Sequence, residues 1–237
     1  MIAALAAAAL LAAAPRASTA RASAPVPMPV LAPEVVLARY DAALAALREP
    51  SVFTFEYTLE QTGSRTLDQT HRVFRSGRNE RDETLAVNGV RSTAPVVRVF
   101  RGRPYRYTVR ALAPKTSAYE FAYTGPHRDG KHVDYVFALT PLRATGAIAF
   151  TSVTIDGIAF LPRSVSFRAP GHAAGGTVTF VKSERYWVAS TAFAQAKGAG
   201  GVAHERFHFS SWRFPTALPS STFAVPRPLP AIPPAVP

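Results

Sequence analysis

Residues 204–208 read HERFH, and His-Glu-x-x-His is the zinc-hydrolase pattern. On a helix the two imidazoles lie one turn apart, share an ion, and leave the Glu to act as base. On a strand they share a face but stand about 13 Å apart at ~3.3 Å per residue, too far for one zinc. The flanks decide for a strand. KGAGG (197–201) before the motif is a turn, and Phe207 and Phe209 alternate with His204, Arg206 and His208. The hydrolases with this pattern also draw a third ligand from downstream, and no His, Asp, Glu or Cys follows His208.

Two further groupings could do chemistry. GPHRDGKHVD sets His127, His132 and Asp134 around a turn, where three donors could meet an ion, although the same residue types make an ordinary polar hairpin tip. The hairpin tip is the reading taken. Glu56 and Glu60 share a strand face as an acid–base pair would, but it is the wet face, where carboxylates are rarely perturbed. The chain has neither a glycine-rich phosphate loop nor a Gly-x-Ser-x-Gly elbow. With no cysteine, disulfides, thiolate chemistry and Cys-ligated zinc are excluded. The sequence predicts no enzyme, no metal and no cofactor.

The elements that would carry these residues follow from periodicity. PEVVLARYDAALAALREP (33–50) predicts one amphipathic helix, with Leu37, Tyr40, Leu44 and Leu47 on one stripe, Glu34 at the positive end and Pro50 as the stop. From residue 51 the period becomes two. Phe53, Phe55, Tyr57 and Leu59 alternate with Thr54, Glu56, Thr58 and Glu60. The same alternation returns in YRYTV (Tyr105, Tyr107, Val109), AYEFAYT (Tyr119, Phe121, Tyr123) and HVDYVFAL (Val133, Tyr135, Phe137, Leu139), then in SVSF, GTVTFV and RYWVAS. Asn88-Gly89 and Asp156-Gly157 predict two-residue type I′ hairpins, with Asp129-Gly130 a third. The expected fold is mainly β (α+β): a single N-terminal helix plus a large curled antiparallel sheet, roughly nine to eleven strands as an unclosed half-barrel with the helix at its concave face.

One helix is too small to cover such a sheet, and this makes the aromatic stripe informative. Phe53, Phe55, Tyr57, Tyr105, Tyr107, Tyr119, Phe121, Tyr123, Tyr135 and Phe137, with Tyr40 and Leu44 of the helix, predict the lining of a ligand cavity. Tyrosine offers an apolar body with a polar tip, which suits an amphiphile.

Composition limits the partners. The formal net charge is +12, carried by 23 Arg and 4 Lys. The arginines are spread through alternating strands with no clustered stripe, so nucleic acid is not the expected partner; an anionic membrane surface is compatible. Residues 1–20, an apolar run followed by Pro15 and small residues, predict a signal peptide, and hence an exported, periplasmic protein. A Pro-rich spacer (21–32), the β domain (33–224) and a Pro-rich tail (225–237) complete the expected layout.

The ending FSSWRFPTALPSSTFAVP (209–226) is similar to the closing pattern of the periplasmic lipoprotein-carrier superfamily, a last strand and a Pro-containing loop before Leu218, Pro219, Ser221 and Phe223. The order of one N-terminal helix and a long meander resembles the same family over about 34–224. The resemblance implies an unclosed β-barrel with a helical lid, binding a lipid or an acylated protein as carrier or sensor without catalysis. The Pro-rich tail departs from that pattern. A second reading is an envelope structural or interaction protein whose sheet face is fully packed. A ligand-sized cavity on the apolar face separates the two.

Overall fold

Alternation from Val52 onward resolves into eleven strands in the computed structural model, which describes residues 29–63, 66–102, 107–129, 132–144, 148–169, 174–198 and 201–224. The expected signal peptide, most of the spacer, the Pro-rich tail and Tyr105 lie outside these. In chain order the strands are β1 (Val52–Gly63), β2 (Leu67–Ser76), β3 (Asn79–Val87) and β4 (Val90–Phe100), then β5 (Tyr119–Asp129), β6 (His132–Pro141), β7 (Ala149–Asp156), β8 (Pro162–Arg168), β9 (Ala174–Ser183), β10 (Tyr186–Gly198) and β11 (Gly201–Arg213). All are antiparallel in one sheet, ordered β4-β3-β2-β1-β11-β10-β9-β8-β7-β6-β5. β4 and β5 are its unpaired edges, so the sheet is unclosed, as the periodicity predicts. Each edge carries a mid-strand proline, Pro95 or Pro126, a residue without an N–H that suits an edge strand and discourages edge-to-edge pairing.

The chain runs out through β1–β4, crosses to the far edge, and returns through β5–β11 until β11 pairs with β1. The crossover contains α2 (Val109–Leu112). YRYTV is therefore not a strand among the described residues. Tyr107 accepts a hydrogen bond from the Ala189 N–H at 3.0 Å, and Thr108 makes a single bridge to Val188. Its described part makes this one bridge to β10, and Tyr107 packs into the smaller apolar cluster.

Helix α1 (Pro33–Ala46) buries Val36 and Tyr40, with Leu37, Leu44 and Leu47 packed at its flanks against β5–β9 residues such as Tyr135, Phe137 and Ile155. It ends at Ala46, short of Pro50, and the Arg110 guanidinium of α2 donates to the carbonyls of Leu44 and Leu47, at 3.2 and 2.8 Å. A cation on the last carbonyls caps a helix and suits its dipole.

The hairpins divide by local chemistry. Asn88 and Gly89 both have positive φ, 49° and 76°, as a type I′ turn requires. Asp156-Gly157 makes a longer loop instead: the Asp156 carboxylate accepts from the N–H groups of Ile158 and Ala159, and the positive φ falls on Phe160. Gly157 is needed there for a close approach, since a Cβ would stand 1.9 Å from the Val133 carbonyl oxygen. Gly130 of the third expected turn lies outside the described residues.

Candidate functional site

The apolar face packs as two separate clusters with a cavity between them. The larger lies beneath α1. The smaller is built on Phe53, Phe55 and Val73 of β1 and β2, against Tyr107, Phe209, Trp212 and Phe214. Phe55 stacks on Trp212 at 4.3 Å and meets Tyr107 at 4.8 Å. Trp212 reaches this face because β11 bulges at Ser211 (φ 54°), which adds a residue opposite Thr54–Glu56 and flips the alternation. The Trp212 indole N–H donates to the Ala189 carbonyl at 3.1 Å.

The cavity measures about 440 Å³. Its near wall is Tyr57, Tyr107, Phe207 and Phe209, and its floor is Ala189 and Ala192 of β10 with Val178 of β9. Val165, Phe167 and Phe150 continue it onto β8 and β7, while Leu112 of α2 and Ile148 complete the rim. β3, which supplies Asp82, and β7 are seven strands apart in the sheet order and would stand roughly 34 Å from each other in a flat sheet. Both line one cavity, so the sheet is curled.

Small residues make the space. β10 turns Ala192 and Ala194 to this face, with Gly176 of β9 opposite Ala194. At Gly176 the room for a side chain is already taken, because a Cβ would meet the Phe167 ring at 2.7 Å and the Phe193 carbonyl oxygen at 2.2 Å.

A polar wall on β2 and β3 closes one side. Arg75 and Glu80 form a fully buried pair, 2.7 Å apart with both side chains at 0% exposure. Arg75 Nε also donates to the Gly77 carbonyl, and the Tyr107 hydroxyl lies 3.5 Å from Glu80. One step along, Asp82 accepts from His71 Nδ1 at 2.8 Å and from the Tyr57 hydroxyl at 3.2 Å, while the Tyr57 and His71 rings stack at 4.5 Å. Burial first, and then the Asp82 charge, push the Tyr57 hydroxyl above its ordinary range, so it remains a donor.

Of the residues the sequence assigns to a ligand cavity, Tyr57 and Tyr107 line this one. Phe53 and Phe55 are core beside it, not lining, because Trp212 and Tyr107 cover them. Tyr40, Tyr119, Tyr135 and Phe137 are buried in the larger cluster, and Phe121 and Tyr123 pack at its edge. Leu44 lies between that cluster and a separate shallow pocket by α1. The helix covers the β5–β9 half, and the cavity lies beside it, lined from β7–β11, β1 and β3.

Sequence reading missed the β8–β10 floor and the polar wall. The alternating alanines in TAFAQAK (191–197) were the available signal for the floor, since a strand with alanine at every second position leaves a groove on that face. Phe207 comes from HERFH itself and Phe209 follows it. The motif is strand, with His204 opposite Thr62 and His208 opposite Thr58, and Phe207 and Phe209 rather than the histidines face the cavity. In the β5–β6 hairpin His127 lies opposite Asp134, which is bound by Arg163 at 2.7 Å. Glu56 is held by Arg72 on the outer face, and Glu60 is exposed there.

No protein-family model and no curated protein sequence matches the chain. Among solved structures it is similar to a LolA superfamily protein from Nitrosomonas europaea, at 11% identity and TM-score 0.45, covering 83% of this chain and 99% of that one. A DUF1329 family protein from Desulfovibrio piger matches at 10% identity and TM-score 0.46, over 80% and 97%. A domain from Vibrio parahaemolyticus named for outer membrane lipoprotein sorting matches at 18% identity and TM-score 0.44, over 80% and 96%.

Proposed function

We propose that the protein is a non-catalytic periplasmic carrier or sensor that binds one lipid, acyl chain or acylated protein tail in the cavity between its two clusters. The observation that carries this is the cavity itself. Its wall is mostly phenylalanine, valine and alanine, with hydroxyls and one carboxylate on a single side, so an occupant must be apolar along its length and polar at one end. A volume of about 440 Å³ falls within the range of small-ligand sites, roughly 300–1,000 Å³. A sheet built only to be packed would fill the β10 floor, and alanine leaves it open. The net charge of +12 supports a role beside anionic membranes.

Native mass spectrometry of protein purified from an exporting host, before and after incubation with lipid, tests the reading. A bound amphiphile is expected on the wild type and not on Ala192→Phe, which places a ring in the cavity. A wild type that stays free of lipid, or an Ala192→Phe variant that binds equally well, refutes it and favours the interaction protein.

A further inference from the structure

Charge is distributed unevenly between the molecule and its cavity. The chain is strongly basic, yet among the described lining residues the one that is formally charged at neutral pH is Asp82. No described Lys, Arg or His lines the cavity. The nearby cation Arg75 is held by Glu80, with both side chains fully buried. Arg98, across the β3–β4 ladder from Asp82, is exposed and lies outside the lining.

Asp82 is not saturated by its neighbours. His71 Nδ1 and the Tyr57 hydroxyl each donate to a different carboxylate oxygen, at 2.8 and 3.2 Å. An ionised carboxylate has about four acceptor positions, so about two remain. The side chain is 15% exposed, and what it faces in the cavity is otherwise largely hydrocarbon. A carboxylate beside an apolar space lacks the donors that water would give it, and a ligand donor placed there restores them. A second anion in the same space adds like-charge repulsion at low dielectric.

Building on the amphiphile reading above, we infer that the cavity selects a head that donates a hydrogen bond and carries no negative charge, an amine or hydroxyl, with Asp82 as its acceptor. Free fatty-acid carboxylates are the amphiphiles it rejects.

Titration calorimetry at neutral pH with dodecylamine, dodecanol and dodecanoate, each below its solubility or micelle-forming limit, reads this directly. The amine and the alcohol are expected to bind at least about tenfold more tightly than the acid. An amine stronger than the alcohol assigns a charged contact, and equal affinities assign plain hydrogen bonding; both support the inference. Asp82→Asn should shrink the gap to about threefold or less, mainly by admitting the acid. An acid that binds within about twofold of the alcohol overturns the inference, as does a gap that survives Asp82→Asn. The wild-type ranking stands even if that variant fails to fold. Ala192→Phe should abolish binding of all three, which separates the cavity from adhesion of a cationic chain to the surface. Failure of every probe to bind wild type overturns the carrier reading together with this one, whereas binding without discrimination overturns this one alone.

Discussion

The Arg75–Glu80 pair offers the sharpest energetic test, because both side chains are at 0% exposure with 2.7 Å between the charged atoms. Glu80→Leu removes the carboxylate and leaves a guanidinium in a dry wall; Arg75→Met strands the carboxylate instead. Breaking a buried pair from one side costs about 3–5 kcal/mol, because the remaining charge keeps its desolvation penalty and loses its counter-charge. In a chain of this size each kcal/mol moves Tm by about 2–4 °C, so either single variant should lose about 6–20 °C. The double variant Arg75→Met/Glu80→Leu removes both charges and keeps similar volume. It gives up the bonds to the Gly77 carbonyl and the Tyr107 hydroxyl, each worth about 1 kcal/mol, but carries no stranded charge and should recover to within about 2 kcal/mol of wild type. Thermal and urea unfolding followed by circular dichroism close the cycle. Singles that cost less than about 1 kcal/mol, or a double as unstable as the sum of the two, would refute the reasoning.

Three more outcomes can be checked on the same instruments. Gly176→Ala forces its methyl against the Phe167 ring and the Phe193 carbonyl; it should cost about 1–3 kcal/mol and, by moving Phe167, alter amphiphile affinity, and a neutral result would mean β9 and β10 part more easily than their geometry suggests. Gly63→Ala combines a φ of +99° with a Cβ 2.1 Å from the Val202 carbonyl oxygen and should cost distinctly more than Gly77→Ala, where φ is +55° and nothing lies within 4 Å; equal losses would show that backbone conformation alone decides. Burial raises the Tyr40 and Tyr57 hydroxyls, with Asp41 adding to the first and Asp82 to the second. A raised acid is favoured in its neutral form, so its stabilisation is complete below the unfolded-state value of about 10 and is lost as pH rises beyond it. Tm should therefore fall above about pH 10, less steeply in Tyr40→Phe and Tyr57→Phe; identical slopes would remove these two tyrosines from the alkaline transition.

Strand count, sheet direction and the single long helix were legible because each rests on local chemistry that tertiary contacts did not overrule. Phe53-x-Phe55-x-Tyr57 and Tyr119-x-Phe121-x-Tyr123 can satisfy a buried face only as strands, and Asn88-Gly89 supplies the two positive φ angles a tight hairpin needs. Where reading failed, a nonlocal partner intervened. YRYTV alternates like a strand, but its described part lies in the crossover between the two sheet edges, where Thr108 makes one bridge to β10 and Tyr107 joins the smaller apolar cluster. Asp156-Gly157 has the composition of a two-residue turn, and the Asp156 carboxylate builds a longer one by capping two amides.

The cavity shows why alternation finds a face but not a site. Period two assigned the aromatic stripe to one side of the sheet, and large residues on that side are what fill space. Phe53, Phe55, Tyr135 and Phe137 are buried because something packs on them. A cavity forms where the inward residues are too small to meet the opposite wall, at Ala189 and Ala192, and alanine in a strand attracts no notice in a search for chemistry. The polar wall was hidden for a related reason. His71, Arg75, Glu80 and Asp82 look like ordinary surface residues in sequence, and only the β2–β3 register, which sets Arg75 opposite Glu80, turns them together toward the apolar face. Burying the Arg75–Glu80 ion pair and the His71–Asp82 contact beside a hydrocarbon cavity costs stability that a purely packed sheet would keep. The wall is worth that cost if it fixes which head group an apolar chain must carry to enter, and this is the property that Asp82→Asn removes while leaving the hydrocarbon lining in place.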